Sequence, residues 1–239
     1  MRKIKLAKSE ENDSNPFSQS TGDLMASLLF IFILLLSSLM LQVKKQEDSD
    51  RAITKNYAKI KTQLYIDLEH EFKDSLKVWN AVIDSTELAV RFQEPSTLFD
   101  YNKADLKPRF AAILRDFFPR YMALLSEPQY KDNIEEIRIE GHTDSSGGYI
   151  YNMELSQDRT RSVLAFCLNQ ITRKDFEWAK YAITANGLSS SHPILGKDGK
   201  EDADRSRRVE FKIRTNAEKQ LEKIAIKREK EIWTISMIC

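Results

Sequence analysis

The longest uncharged stretch of the chain runs from Leu24 to Val43 and consists almost entirely of apolar residues. A helix of this length crosses a hydrocarbon layer of about 30 Å, so we predict a transmembrane helix over residues 22–43. A secretory signal peptide would have a shorter apolar region and a small-residue cleavage site, whereas two lysines close this stretch. We therefore expect a retained single-pass anchor, preceded by a polar tail over residues 1–21.

Apolar residues recur at steps of three and four in the charged segment that follows, residues 44–84. This spacing predicts a helix with an apolar stripe on one face. The stripe consists of Ile53, Tyr57, Ile60, Leu64, Leu68, Phe72, Leu76 and Trp79. Either a partner helix or the chain's own domain could cover it, and we expect self-association to be at least as favourable as packing on the chain's own domain.

Short alternating segments replace the helical spacing from about residue 85. The predicted strands are Leu88–Phe92, Ile134–Glu140, Tyr181–Ala185 and Val209–Ile213. The predicted helices are Phe110–Leu125, with a kink or break expected at Pro119, and Leu155–Ile171. The order β-α-β-α-β-β predicts an α/β sandwich over residues 85–215, with two helices on one face of a mixed sheet. A charged helical extension is expected over residues 216–239.

Charge and cysteine content narrow the classes of function. The 37 basic and 36 acidic residues give a net charge of +1, which does not support a nucleic-acid binder. Cys167 and Cys239 form no disulfide framework or metal spacing, and we expect Cys167 in the core. The three histidines lack zinc spacing, and the acidic loop at 198–204 lacks EF-hand spacing. With no nucleophile–base pair or phosphate loop, we expect no metal, no cofactor and no enzymatic activity.

Asp23 stands at the start of the predicted span. Charged residues within membrane segments are costly and usually functional. Aspartate is also a favoured helix N-cap, and its charge suits the positive end of the helix dipole. On the functional interpretation the carboxylate binds and releases a cation, and Ser27, one turn further on, lines the same face. These residues alone leave both interpretations open.

Four separate motifs occur between residues 86 and 215. They read Asn102-Lys103-Ala104-Asp105, Gly141-His142-Thr143-Asp144, Tyr151-Asn152-Met153 up to Arg159, and Arg207-Arg208-Val209-Glu210. Asp144 lies in a strand-to-helix loop and Arg159 near the start of the next helix, so both can reach one cleft. A carboxylate beside the planar fork of an arginine can hold a zwitterion. An internal Asp144–Arg159 ion pair is the alternative.

This set of motifs resembles the OmpA-like peptidoglycan-binding domain in order and spacing. The resemblance implies that Asp144 and Arg159 bind the zwitterionic free end of diaminopimelate in the peptidoglycan stem peptide. It implies flanking hydrogen bonds from Thr143 and Asn152, and a loop at Asn102 that reaches the same cleft. We expect the last motif, the two arginines with valine and glutamate, to be structural and to fix the final strand.

A wall-binding domain behind a span that opens with an aspartate resembles the B subunit of MotB-like stator units. The span itself, Gly22-Asp23-Leu24-Met25 onward, is most similar to the B subunit of Zorya antiphage systems. The resemblance implies a homodimer formed through the span, the linker and the periplasmic domain, threaded through a ring of A subunits in the bacterial inner membrane. It places the N-terminus in the cytoplasm and makes Asp23 a carrier of H⁺ or Na⁺. A flagellar stator subunit and a passive wall tether are the alternatives.

Overall fold

A computed structural model describes residues 16–93 and 98–216, together with 222, 225 and 226. Most of the predicted tail and of the predicted C-terminal extension therefore lies outside the described residues. The first helix, α1, runs from Pro16 to Trp79. The chain divides into two compact units, Met1–Ala52 and Ile53–Cys239.

The first unit contains the predicted membrane span. The structure describes one helix that is long and apolar enough to cross a membrane, and its apolar part is fully exposed. Such an extended exposed apolar surface is typical of a surface that lipid or a partner protein covers. The helix begins at Pro16, several residues before the start of the predicted span at Gly22.

The second unit is built on a mixed sheet, as predicted, and the sheet has five strands rather than the four that the sequence indicates. The strands are β1 Ala81–Asp84, β2 Ala89–Phe92, β3 Ile134–His142, β4 Ile183–Gly187 and β5 Arg208–Thr215. Their order is β1-β2-β5-β3-β4, so the sheet is open. Strand β3 pairs in parallel with β4, and the other pairs are antiparallel. The remaining helices are α2 Pro108–Leu125, α3 Pro128–Lys131, α4 Tyr149–Leu168, α5 Arg173–Ala182 and α6 Ala203–Ser206.

Several elements differ from the sequence prediction. Strand β1 and helix α5 were not predicted, and the residues of Tyr181–Ala185 that precede Ile183 belong to α5 rather than to a strand. Helix α2 continues through Pro119. Buried residues on both sides of this proline, from Phe117 to Met122, hold the helix against the core.

The core of the second unit is rich in aromatic rings. Phe117 lies 5.0 Å from Phe92 and 5.0 Å from Phe211, measured between ring centroids, and 5.2 Å from Phe72. Edge-to-face and tilted contacts of this kind stabilise a core beyond their buried area. Helix α2, strands β2 and β5, and the end of α1 therefore share one core.

The apolar stripe of α1 belongs to this core. Leu64, Leu68 and Phe72 are fully buried, and Trp79 is nearly so. Ile60 and Leu76 are partly buried against the same cluster, so they extend the stripe in both directions. The expectation that this face self-associates is wrong for residues 60–79, because the chain's own domain covers it.

Candidate functional site

Two glycines bring the helix that carries Arg159 against the strand that leads to Asp144. A Cβ atom on Gly187 would lie 2.3 Å from the Gln157 backbone nitrogen. A Cβ atom on Gly141 would lie 2.6 Å from Cγ2 of Thr160. Helix α4 therefore packs directly on the ends of β3 and β4, and glycine is required where the backbones meet. Because β3 and β4 are parallel, both of their carboxyl ends lie at this edge.

Asp144 is held in a defined position just after β3. Its side chain is nearly buried, and the Ser146 backbone N–H donates to Oδ1 at 3.0 Å. Arg207 forms an ion pair with the other carboxylate oxygen, Oδ2, and also pairs with Asp204. The carboxylate thus has an opposite charge beside it even without a ligand.

The loop that presents Asp144 is fixed by its neighbours. The Asn152 amide donates to the backbone oxygens of Asp144 at 3.2 Å and of Ser146 at 2.9 Å. The Ser145 N–H donates to the Glu201 carboxylate at 3.1 Å, and the Ser145 hydroxyl donates to the same carboxylate. Asn152 therefore shapes the loop through its buried side chain rather than facing the cavity.

Thr143 is also buried beside this loop. Its backbone N–H donates to the Ser189 carbonyl at 2.9 Å. Among the residues that the structure describes, its hydroxyl has no hydrogen-bond partner. A buried hydroxyl without a partner is uncommon, and this one is also shielded from solvent.

Arg159 faces the cavity from helix α4. Its Nε donates to the Lys103 carbonyl at 3.0 Å and Nη2 donates to the Asp100 carbonyl at 3.4 Å, while the guanidinium lies 4.9 Å from the centroid of Phe99. Burial lowers the pKa of Arg159, and the nearby Arg207 acts in the same direction. A half-buried guanidinium bonded to carbonyl groups gains strongly from an added anion.

The loop at Asn102 reaches the same place, as the resemblance implies. Asn102 is exposed and adopts a φ of 54°, a left-handed conformation that asparagine tolerates better than most residues. The next residue supplies the carbonyl oxygen that accepts from Arg159. Asn102 thus contributes backbone geometry to the site.

A cavity of about 750 Å³ opens at this edge of the sheet. Its wall includes Phe99, Tyr101, Lys107, His142, Arg159 and Arg207. Aromatic and cationic groups thus surround a space of the size that small ligands occupy, about 300–1,000 Å³.

The structure places Arg207 at the site, whereas the sequence predicted a purely structural role for it. It was expected to fix the last strand, yet β5 begins at Arg208, and Arg207 pairs with Asp144. The sequence does indicate that the two arginines have different roles, because consecutive side chains of an extended segment point to opposite sides. Arg208 is buried and pairs with Glu210, as a structural role requires.

Two further differences concern Arg159. Helix α4 begins at Tyr149 rather than at Leu155, so Arg159 lies in its middle. The alternative of an internal Asp144–Arg159 ion pair is not what the structure shows. In the described ranges, no carboxylate lies within 4.0 Å of the Arg159 guanidinium.

A buried cluster of Glu140, His142 and Glu210 has the donor atoms of a metal site within 4.8 Å of one another. Arg91 and Arg208 both donate to Oε1 of Glu210. These two guanidinium groups balance the two carboxylates without a cation, so we assign no metal to the cluster. The acidic loop at 198–204 is exposed over most of its length.

Asp23 lies in the first unit and is exposed inside helix α1. An N-cap precedes the first helical residue, and the helix begins at Pro16, so Asp23 is not a cap. The Ser27 hydroxyl donates to the Asp23 backbone carbonyl at 2.7 Å. The Asp23 carboxylate therefore needs an explanation other than capping.

Comparison with known proteins agrees with these features. The OmpA family matches residues 98–207. A Zorya protein ZorB of Escherichia coli strain Crooks is 42% identical over 226 residues, covering 90% of this chain and 94% of that protein. The chain belongs to the ZorB family. The resemblance to Zorya B subunits and to OmpA-like domains that the sequence motifs indicated is confirmed.

Two further relatives of this ZorB-family chain are more distant. A Zorya protein ZorB of Escherichia coli O139:H28 is 24% identical over 216 residues, covering 88% of this chain and 84% of that protein. A solved MotB-like protein of Desulfovibrio vulgaris superposes with a TM-score of 0.46 at 23% identity, covering 69% of this chain and 94% of that one.

Proposed function

We propose that this protein is the B subunit of an ion-driven membrane motor that is anchored to peptidoglycan and acts in antiphage defence. In this proposal the second unit grips the wall and Asp23 carries H⁺ or Na⁺. The motor senses a disturbance of the envelope and signals to cytoplasmic effectors. No catalysis and no cofactor is assigned to this chain.

The observation that carries the wall-binding part is the arrangement of Asp144 and Arg159 at one edge of a rigid sheet. Asp144 is fixed by backbone and amide hydrogen bonds, and Arg159 has no carboxylate partner in the described part of the chain. The ammonium and carboxylate of a diaminopimelate end supply the two opposite charges that these side chains favour.

The membrane part of the proposal rests on the exposed apolar helix and on Asp23. Asp23 lies inside helix α1 and does not cap it, so a purely structural capping role does not account for its carboxylate. Charged residues within membrane segments are usually functional. The proposed assembly is a homodimer inside a ring of A subunits in the inner membrane. The N-terminus lies in the cytoplasm and the second unit lies in the periplasm.

Sedimentation with purified sacculi tests wall binding. We expect the full chain in detergent to sediment with sacculi, and the double variant Asp144→Asn, Arg159→Gln to remain in the supernatant. A matched control is Asp158→Asn, Arg161→Gln on the same helix, because that exposed pair lies 3.1 Å apart. Equal sedimentation of both variants would refute the assigned site.

A flagellar stator subunit is the second candidate, because a membrane span that opens with an aspartate ahead of an OmpA-like domain resembles that family as well. Deletion followed by phage plating and swimming assays separates the two. We expect increased phage sensitivity with unchanged motility. Lost motility with unchanged phage sensitivity would favour the flagellar role instead.

A further inference from the structure

The cavity beside Arg159 is larger than the group that the proposed function places in it. Its volume of about 750 Å³ lies in the upper part of the range of about 300–1,000 Å³ that ligand pockets occupy. The free end of one diaminopimelate residue is a single amino-acid head group. The cavity can therefore accept a longer part of the stem peptide.

The charges along the cavity wall are not balanced. Three cations of the wall have carboxylate partners: Lys107 with Asp100, Arg207 with Asp204, and Arg208 with Glu210. Two more guanidinium groups line the cavity, those of Arg159 and Arg205. Within the ranges that the structure describes, neither has a carboxylate within 4.0 Å. The cavity wall thus presents two cations without a carboxylate partner among the described residues.

Arg205 is placed on the wall by the short helix α6. Its backbone N–H donates to Asp202 at 3.1 Å, while its side chain is exposed and bonds to none of the described residues. The side-chain amides of Asn80 and Gln93 also line the cavity and likewise bond to none of the described residues. Amide groups of this kind can pair with the peptide groups of a ligand.

We propose that the cavity is a two-carboxylate site, in which Arg159 takes the carboxylate of the zwitterionic end and Arg205 takes a second carboxylate of the same stem peptide. A tripeptide stem offers two such groups. One is the free α-carboxylate of the γ-linked glutamate, and the other is the diaminopimelate carboxylate next to the peptide bond. The proposal rests on the proposed wall-binding function and deepens it.

Calorimetric titration of the full chain in detergent tests the proposal with four synthetic ligands. They are free meso-diaminopimelate, the tripeptide L-Ala-γ-D-Glu-meso-diaminopimelate, and two tripeptides amidated at one or the other second carboxylate. We expect the Arg205→Gln variant to weaken tripeptide binding about fivefold, the size of a favourable exposed ion pair. Binding of the amidated tripeptide that lacks the recognised carboxylate should be equally weak and insensitive to Arg205→Gln.

The controls distinguish failure of the second carboxylate subsite from failure of the proposed wall-binding function. Arg173→Gln removes an exposed arginine outside the cavity and should bind the tripeptide as the unchanged chain does. If Arg205→Gln binds every peptide like the unchanged chain, the second carboxylate subsite is wrong while wall binding stands. If the unchanged chain binds no peptide, the proposed function itself is wrong.

Discussion

His142 shows how one side chain links the loop at Asp144 to the buried charges beside it. Both of its ring nitrogens are buried, and neither has a hydrogen-bond partner among the described residues. Glu140 and Glu210 lie 3.8 Å and 4.0 Å from its Nε2, and the His192 ring lies 6.1 Å away between centroids. Burial lowers the pKa of His142, and Arg208 acts in the same direction against the two carboxylates.

This lowered pKa predicts a pH dependence of stability. Between the folded pKa and the unfolded value of about 6.5, the unfolded chain binds more protons. The contribution of His142 is therefore fully present above about pH 6.5 and is lost as pH falls through the folded pKa, by about 1.4 kcal/mol per unit of depression. Thermal unfolding of the full chain in detergent between pH 8 and pH 5 should show this loss. His142→Gln should remove it, and an unchanged pH profile in that variant would contradict the argument.

The end of helix α1 shows what periodicity establishes at the scale of an element. The three- and four-residue spacing identified the apolar face of residues 53–79, and the part of that face from Ile60 to Trp79 packs in the core. The same spacing could not say which surface covers it, because a partner helix and a sheet both accept an apolar stripe. Contacts far apart in sequence decide this point, such as Arg120 with Glu71 at 2.8 Å and Tyr130 with Asp67.

Matched substitutions on this helix test its place in the core. Leu68 is fully buried, so Leu68→Ala should lower the free energy of unfolding by about 2–5 kcal/mol. Ile66 is 50% exposed on the same helix, and Ile66→Ala should change it by less than about 0.5 kcal/mol. Denaturant unfolding of the full chain in detergent measures both values. Similar losses in the two variants would mean that the stripe is not part of the core.

At the scale of the whole molecule, sequence motifs predicted more of the site than of the packing. The order of motifs indicated the mixed sheet, the loop at Asp144 and the helix with Arg159, because these depend on short-range patterns. Helix α5 was missed, although Thr172 caps its start by accepting from the Asp175 backbone N–H. The partner of Asp144 was missed because Arg207 is 63 residues away, and only the folded sheet brings the two together.

Substitution of Asp23 gives the most direct test of the proposal for the whole molecule. Asn and Asp have similar helix-capping ability, and Asp23 lies inside the helix, so Asp23→Asn should leave membrane insertion intact. We expect this variant to abolish ion flux in cells with the A subunit and to remove protection in phage plating. Asp48→Asn, an exposed change further along α1, should retain both activities. Unchanged flux in the Asp23 variant would exclude an ion-carrying role.

The ion pair between Arg207 and Asp144 affects how a wall anchor would release its ligand. A nearly buried carboxylate that loses its partner carries a penalty of about 3–5 kcal/mol, which would make departure of the ligand slow. Arg207 supplies a resident counter-charge, so under the proposed function the ammonium of a departing peptide would leave behind a neutralised carboxylate. Attachment then becomes an exchange of one cation for another, and an anchor built this way can release one wall strand and capture the next without passing through a bare charge.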